Sequence, residues 1–159
     1  MTEFRIDSPT ETDIEQIPGW VSATRELSLI SDESSNVLHP ETFQRWLRDS
    51  VTVAVVHAGD QPVALATLSL QEVALPEGTV ELCHLIVHPR WRRRYHGSRL
   101  VFELTDRAKE FGFKRLVGRV VPRNAVAHAL LSYLHWSSIS SVETWMKASF
   151  VWYEKSLRS

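Results

Sequence analysis

The sequence predicts an α/β fold, a mixed β-sheet with helices on both faces, and three observations carry that prediction. Residues 51–57, 63–70 and 79–87 are runs of apolar and β-branched residues, as strands require. Apolar residues recur at helical spacing around Leu100 and again after Asn124. From residue 79 onward, strand-like and helix-like segments alternate, the pattern of a sheet covered by helices.

Each element has its own local reason. Phe4-Arg5-Ile6 is a short strand, and the small polar residues of Ser8-Pro9-Thr10-Glu11 cap a helix carrying Ile14, Ile17 and Trp20. Residues 28–38, rich in Ser, Asp and Asn, read as a loop. His39-Pro40-Glu41 then opens a helix whose Phe43, Trp46 and Leu47 share an inward face. Gly59-Asp60-Gln61 turns residues 51–57 back into 63–70, a hairpin. Alternation over 79–87 puts Glu81, Cys83, Leu85 and Val87 on one face and Val80, Leu82, His84 and Ile86 on the other. Apolar groups on both faces predict a central strand. Pro89 ends it, and a basic stretch leads into a helix carrying Leu100, Leu104, Ala108 and Phe111, stopped by Gly112. Residues 115–121 form a strand broken by Pro122, Asn124 caps a short apolar helix over 125–134, and residues 146–157 read as the last strand. The order is β, α, α, β, β, β, α, β, α, β.

Composition narrows the function. A chain of 159 residues, 43% hydrophobic, fits one domain over residues 1–159, and no internal repeat or low-complexity tract divides it. With 18 basic and 19 acidic residues there is no global field toward nucleic acid or an anionic membrane, so an anion site has to be local. The single cysteine, Cys83, fits a reducing compartment, and the N-terminus lacks the apolar core of a signal peptide, so cytoplasm is the expected location. No apolar run reaches the roughly 18 residues of a membrane span. His84 and His88, four residues apart on an extended strand, lie roughly 13 Å from one another, so no metal site is expected. The tryptophans read as core or as cleft walls, with Trp20, Trp46 and Trp136 the candidates for lining an acceptor pocket.

The most informative stretch is Val87-His88-Pro89-Arg90-Trp91-Arg92-Arg93-Arg94-Tyr95-His96-Gly97-Ser98. A buried strand runs straight into a helix start, where unbonded N–H groups and the positive end of the helix dipole suit a phosphate. Arginines there add charge-assisted hydrogen bonds. The bland alternative is a solvated basic turn. A nucleic-acid patch is a third reading, weakened by the want of a broad basic face with interleaved aromatics.

This stretch resembles the signature of the GNAT superfamily: a strand ending near Val-x-Pro, then Gln/Arg-x-x-Gly-x-Gly/Ala opening a helix. Val87-His88-Pro89, Arg92 and Gly97 match, while Tyr95 stands at the first glycine. The next strand and Pro122-x-Asn124 follow in the family's order, and the resemblance covers roughly residues 51–136 well. It implies a GNAT-like sheet of about six to seven strands with helices on both faces. It implies acetyl-CoA as co-substrate and transfer of its acetyl group to an amine. The strands ending at Val87 and Val121 would part to admit the pantetheine arm. Backbone groups of Leu85, Ile86 and Val87 would bond that arm, with an amide facing the thioester oxygen. Arg92, Arg93, Arg94, Tyr95, His96, Gly97 and Ser98 would hold the pyrophosphate. Asn124 would lie beside the arm, a role compatible with plain helix capping.

The same resemblance bears on proton transfer. Glu81, eleven residues before Arg92, stands where several members, histone-type acetyltransferases included, carry a general-base glutamate. Its alternative is a strand-end carboxylate in water. His84 is the second candidate base, against a packed core histidine. Many relatives place a tyrosine acid seven residues after the asparagine, where this chain has Leu131. Tyr133, two residues on, is turned by about 200°, and the usual Gly-Phe after that helix is His135-Trp136. Unaided thiolate departure is the favoured outcome, since a thiol of pKa near about 8.5 leaves tolerably. A donor from elsewhere and loss of catalysis are the others. Three functions follow in order: an N-acetyltransferase, a non-catalytic acyl-CoA-binding or sensor module suggested by Tyr95 and Leu131, and a nucleic-acid-binding domain. The acceptor is unspecified, and the expected partners are acetyl-CoA and an amine, with no nucleic acid, no membrane, and a homodimer compatible.

Overall fold

The computed structural model describes residues 3–21, 38–70 and 75–157. Its elements are β1 (Phe4–Asp7), α1 (Glu11–Gln16), α2 (Pro40–Asp49), β2 (Ser50–Ala58), β3 (Gln61–Ser69), β4 (Thr79–Val87), α3 (His96–Glu110), β5 (Arg115–Val120), α4 (Ala125–Tyr133), β6 (Ser137–Ser138) and β7 (Val151–Ser156). The strands form one seven-stranded sheet in the order β1-β2-β3-β4-β5-β7-β6. Every neighbouring pair is antiparallel except β4 with β5, which is parallel. The mixed sheet expected from the sequence is present. No helix among the described residues is long and apolar enough to cross a membrane.

Helices cover both faces, and two apolar clusters show how. On one face Val80, Leu100, Leu104, Ala108, Leu116, Leu131 and Trp136 pack together beneath α3 and α4. On the other, Ile17, Trp20, Phe43, Trp46, Val55, Leu65 and Ile86 join α1 and α2 to the sheet. Thr10 caps α1 as its sequence suggested: Asp13 N donates to Thr10 Oγ1 (3.1 Å) and Thr10 N donates to Asp13 Oδ2 (2.9 Å). The same Oδ2 lies 2.7 Å from His57 Nε2, tying α1 to β2 through a buried pair.

Four expectations need correction. The first helix does not run on to Trp20. It ends at Gln16, and Pro18 carries residues 17–20 into a 3₁₀ turn that still buries Ile17 and Trp20. The last strand starts at Val151 instead of residue 146, because residues 143–150 turn back twice through Met146 N to Glu143 O and Phe150 N to Lys147 O hydrogen bonds. Phe111 lies beyond the end of α3 and is 56% exposed; Phe113 packs on the core in its place. The fourth concerns β4. His84 takes a left-handed φ of 57° and the β3–β4 register slips there, a bulge that shifts the strand's alternation by one residue. Leu85 and Val87 therefore join Leu82 and Val80 on the α3 side, and Glu81 does not share their face. The loop expected at residues 28–38 lies outside the described residues save Leu38, which is buried.

Candidate active site

The site begins where two strands part. β4 and β5 pair only at Thr79 with Arg115, Val80 with Leu116 and Glu81 with Val117. Beyond Glu81, β4 stays with β3, bent by the bulge, while β5 stays paired with β7 along its whole length. The ladder opens into a cleft of about 1200 Å³, walled by residues 81–87 on one side and 118–121 on the other. Gly118 sits at this opening. A Cβ there would stand 3.5 Å from Trp136 and 3.9 Å from the Leu82 carbonyl, in ordinary contact with both.

One end of the cleft is the start of α3. Tyr95 holds a left-handed φ of 65° without capping the helix with its side chain. This is the conformation glycine adopts most readily, and it accounts for a glycine at this position in the signature. Arg99 N donates to Tyr95 O (3.1 Å), so the amides of His96, Gly97 and Ser98 are those the helix cannot satisfy internally. The turn before it is braced by Arg90 N donating to His88 Nδ1 (3.0 Å) and Arg92 Nε to Val87 O (3.3 Å). Arg92 and Arg93 line the cleft together with Tyr95, His96, Gly97 and Ser98. Arg94 does not: its guanidinium lies over the Trp91 ring at 5.2 Å. The His96 ring packs against Phe4 and Trp91, 1% exposed, with neither nitrogen hydrogen-bonded. Burial, aided by Arg99 and Arg94, holds its pKa below the usual imidazole value.

The other end is built from side chains of five elements. Glu81, 1% exposed, is gripped at both oxygens by Arg119, Nε to Oε2 at 2.8 Å and Nη2 to Oε1 at 3.0 Å. Burial pushes the Glu81 carboxyl up, against the opposing pull of Arg119. Arg119 in turn lies over Phe150 and Trp152. Burial and the neighbouring Glu81 raise the Cys83 thiol well above its ordinary value, so it stays protonated. The His84 ring stacks on Trp46 of α2, centroids 4.0 Å apart and planes 10° from parallel, and its Nδ1 lies 3.0 Å from Thr67 Oγ1. Arg45, Asp49, Lys147 and Phe150 complete this end.

Glu81, His84, Leu85, Ile86, Val87 and Asn124 all line the one cleft, as do Arg92, Arg93 and the residues from Tyr95 to Ser98. Asn124 also caps α4, its Oδ1 accepting from Ala127 N at 3.1 Å. Leu131 lines the cleft, whereas Tyr133 is 73% exposed and lies outside it. Trp46, Trp91 and Trp136 are walls; Trp20 belongs to the core. Sequence reasoning missed Thr67, Arg119, Lys147 and Phe150. Arg119 had a signal, an arginine in the middle of an apolar strand expected beside another strand with a lone glutamate.

A parted parallel pair that leads to a helix start with unbonded amides can admit an extended ligand ending in a phosphate group. Residues 20–136 match the Acetyltransferase (GNAT) family, and the chain belongs to that family. Its co-substrate is acetyl-CoA. No curated protein matches the sequence. Among solved structures, the fold is similar to the ribosomal-protein-S18-alanine N-acetyltransferase from Escherichia coli, with 16% identity, TM-score 0.71, and 99% of this chain and 96% of that one covered. It is similar also to a GNAT-family acetyltransferase from Staphylococcus aureus Mu50, with 12% identity, TM-score 0.76 and coverage of 98% and 100%. A third is the PaiA N-acetyltransferase from Thermoplasma acidophilum in complex with coenzyme A, with 14% identity, TM-score 0.69 and coverage of 97% and 99%.

Proposed function

We propose that the chain is an N-acetyltransferase, one domain over residues 1–159, that works on an amine entering beside Trp46 and His84. The observation that carries this reading is the cleft itself, open between β4 and β5, with orphaned amides at one end and an oriented imidazole at the other. The residues present fit the donor. The β4 edge beyond Glu81 has no partner strand on the β5 side, and the amides of Gly97 and Ser98 with Arg92 and Arg93 suit a diphosphate. Acetyl-CoA supplies an activated thioester carbonyl.

The protein's own work is positioning and proton transfer. An amine of pKa near about 10 is mostly protonated at neutral pH, and a nearby base makes it nucleophilic. Glu81 was the first candidate, but both of its oxygens already accept from Arg119. We assign the base to His84, an imidazole held against Trp46, and give Glu81 the task of fixing Arg119 in the cleft wall. A β4 amide beyond the bulge would stabilise the negative charge that develops on the carbonyl oxygen. The thiolate leaves without a protein acid, consistent with Leu131 in the tyrosine's place. A cytoplasmic setting accords with Cys83 as the single cysteine of the sequence.

Leu131 also favours a second reading, an acyl-CoA-binding module without turnover. Thermal-shift titration with acetyl-CoA should raise Tm progressively; no shift at millimolar acetyl-CoA would remove both readings. Assay of free CoA release across a panel of primary amines then separates them, since a binding module stabilises without releasing CoA.

A further inference from the structure

The cleft wall formed by α4 is weakly seated at its start. The helix is nine residues long, too short to stand without tertiary support, and of those nine only Leu131 is buried. Yet its opposite end also lines the cleft, through Asn124, Val126 and Ala127. Apolar packing gives that end little, since Val126 is 80% exposed and Ala127 offers only a methyl group to the core. His128 supplies the anchor, with a ring hydrogen-bonded at both nitrogens. Its Nδ1 lies 2.8 Å from Tyr153 Oη of β7, and its Nε2 lies 3.1 Å from the Pro122 carbonyl oxygen. Tyr153 is itself buried and stands opposite Gly118 in the β5–β7 register, beside the point where the strands part.

A carbonyl can only accept, so Nε2 carries the hydrogen. In the neutral ring Nδ1 is then a lone pair, and the Tyr153 hydroxyl donates to it. The backbone of His128 donates in turn to Asn124 O at 3.2 Å. One residue thus joins three pieces of chain: the turn after β5 through Pro122, the first turn of α4 through Asn124, and β7 through Tyr153. We propose that His128 is a positioning residue, a clip that closes the β5–α4 turn and holds the first half of α4 where the cleft receives acetyl-CoA. The inference rests on the reading of that cleft as the cofactor site. Neither His128 nor Tyr153 lines the cleft, so loss of the clip weakens cofactor binding and spares the chemistry. The β5 wall, paired with β7 along its whole length, needs no such device, whereas the short helix that follows it does.

Nitrogen-15 NMR of the whole chain, observed at the neutral His128 ring, should show a protonated Nε2 and a bare Nδ1. His128→Leu removes both ring bonds and should weaken acetyl-CoA binding about tenfold by calorimetry. The KM for acetyl-CoA should rise by a like factor, while kcat on the amine giving the fastest CoA release stays within about twofold of wild type. Tyr153→Phe removes one bond, keeps the Pro122 contact, and should weaken binding about threefold. His128→Gln, whose side-chain amide can still donate to the Pro122 carbonyl, should recover most of the affinity. A ring protonated at Nδ1 and bare at Nε2 overturns the clip. So does wild-type affinity in His128→Leu, a fall in kcat as large as the fall in affinity, or an affinity in His128→Gln no better than in His128→Leu. Should His128→Leu fail to fold, wild-type affinity in Tyr153→Phe has the same force. A parent protein that binds no acetyl-CoA overturns the cofactor site itself, whatever the tautomer of its ring.

Discussion

The two ends of the cleft are built from different material. The end at the start of α3 is mainly backbone: orphaned amides, a left-handed residue and the end of the β4 edge, all supplied by one continuous stretch from Leu82 to Ser98. The end at His84 is mainly side chains, brought together from α2, β3, β4, β5 and the turn before β7. A backbone site tolerates substitution of any one side chain, because the geometry survives it. A side-chain site fails pairwise, since removing one member strands another.

Substitutions at the two ends should differ accordingly. The largest stability loss is expected at the buried ion pair. Arg119→Met leaves the Glu81 carboxyl enclosed without its partner and should cost about 3 kcal/mol. Glu81→Gln takes one carboxylate oxygen from the partly exposed guanidinium and should cost about 1 kcal/mol. Chemical denaturation measures both, and equal losses would contradict the asymmetry. The sign with pH follows from burial. The Glu81 pKa is raised in the folded state, so its contribution is fully present below the ordinary carboxylate value of 4.5 and declines as pH rises through the folded pKa. Arg119→Met should steepen that decline.

At the backbone end the changes are milder. Arg92→Ala should weaken acetyl-CoA binding about tenfold by calorimetry, the amides remaining in place, and more than Glu81→Gln does. Tyr95→Gly should stabilise the fold by about 1 kcal/mol, since glycine occupies a φ of 65° without the Cβ clash, while leaving acetyl-CoA affinity close to wild type. A loss of stability there would mean that the exposed Tyr95 ring makes a contact worth more than the strain. The smallest effect is expected at His96. Its pKa is lowered in the folded state, so the unfolded chain takes up the proton first and stability falls as pH drops below the ordinary value of 6.5. His96→Leu should flatten that slope in acid melting curves by under about 1 kcal/mol.

The same contrast explains what the sequence revealed. The strand, basic turn and helix from Val87 to Ser98 are contiguous, so their pattern could be read along the chain and the structure puts them at one cleft end. Thr10 and Asn124 were legible as caps because capping is a local hydrogen bond. Arg119 and Thr67 were not, since their importance depends on register between strands, and a bulge moves register by one without a proline or glycine to mark it. His84 carries that bulge with an ordinary side chain, so strict alternation put Leu85 and Val87 on the face of Glu81. The last strand was drawn too long for a similar reason. Trp145, Met146 and Phe150 are apolar because they pack against Val117 and Trp152, not because they extend the sheet.

Three residue pairs stitch β4 to β5, and among the described residues they are the sheet's one parallel contact. The sheet is thus two antiparallel leaves, β1 to β4 and β5-β7-β6, joined by a short ladder and by the apolar core beneath α3 and α4. Such a joint transmits opening and closing more readily than either leaf flexes. Occupancy of the gap should therefore register as slower amide exchange along both of its margins, far beyond the few groups a ligand touches.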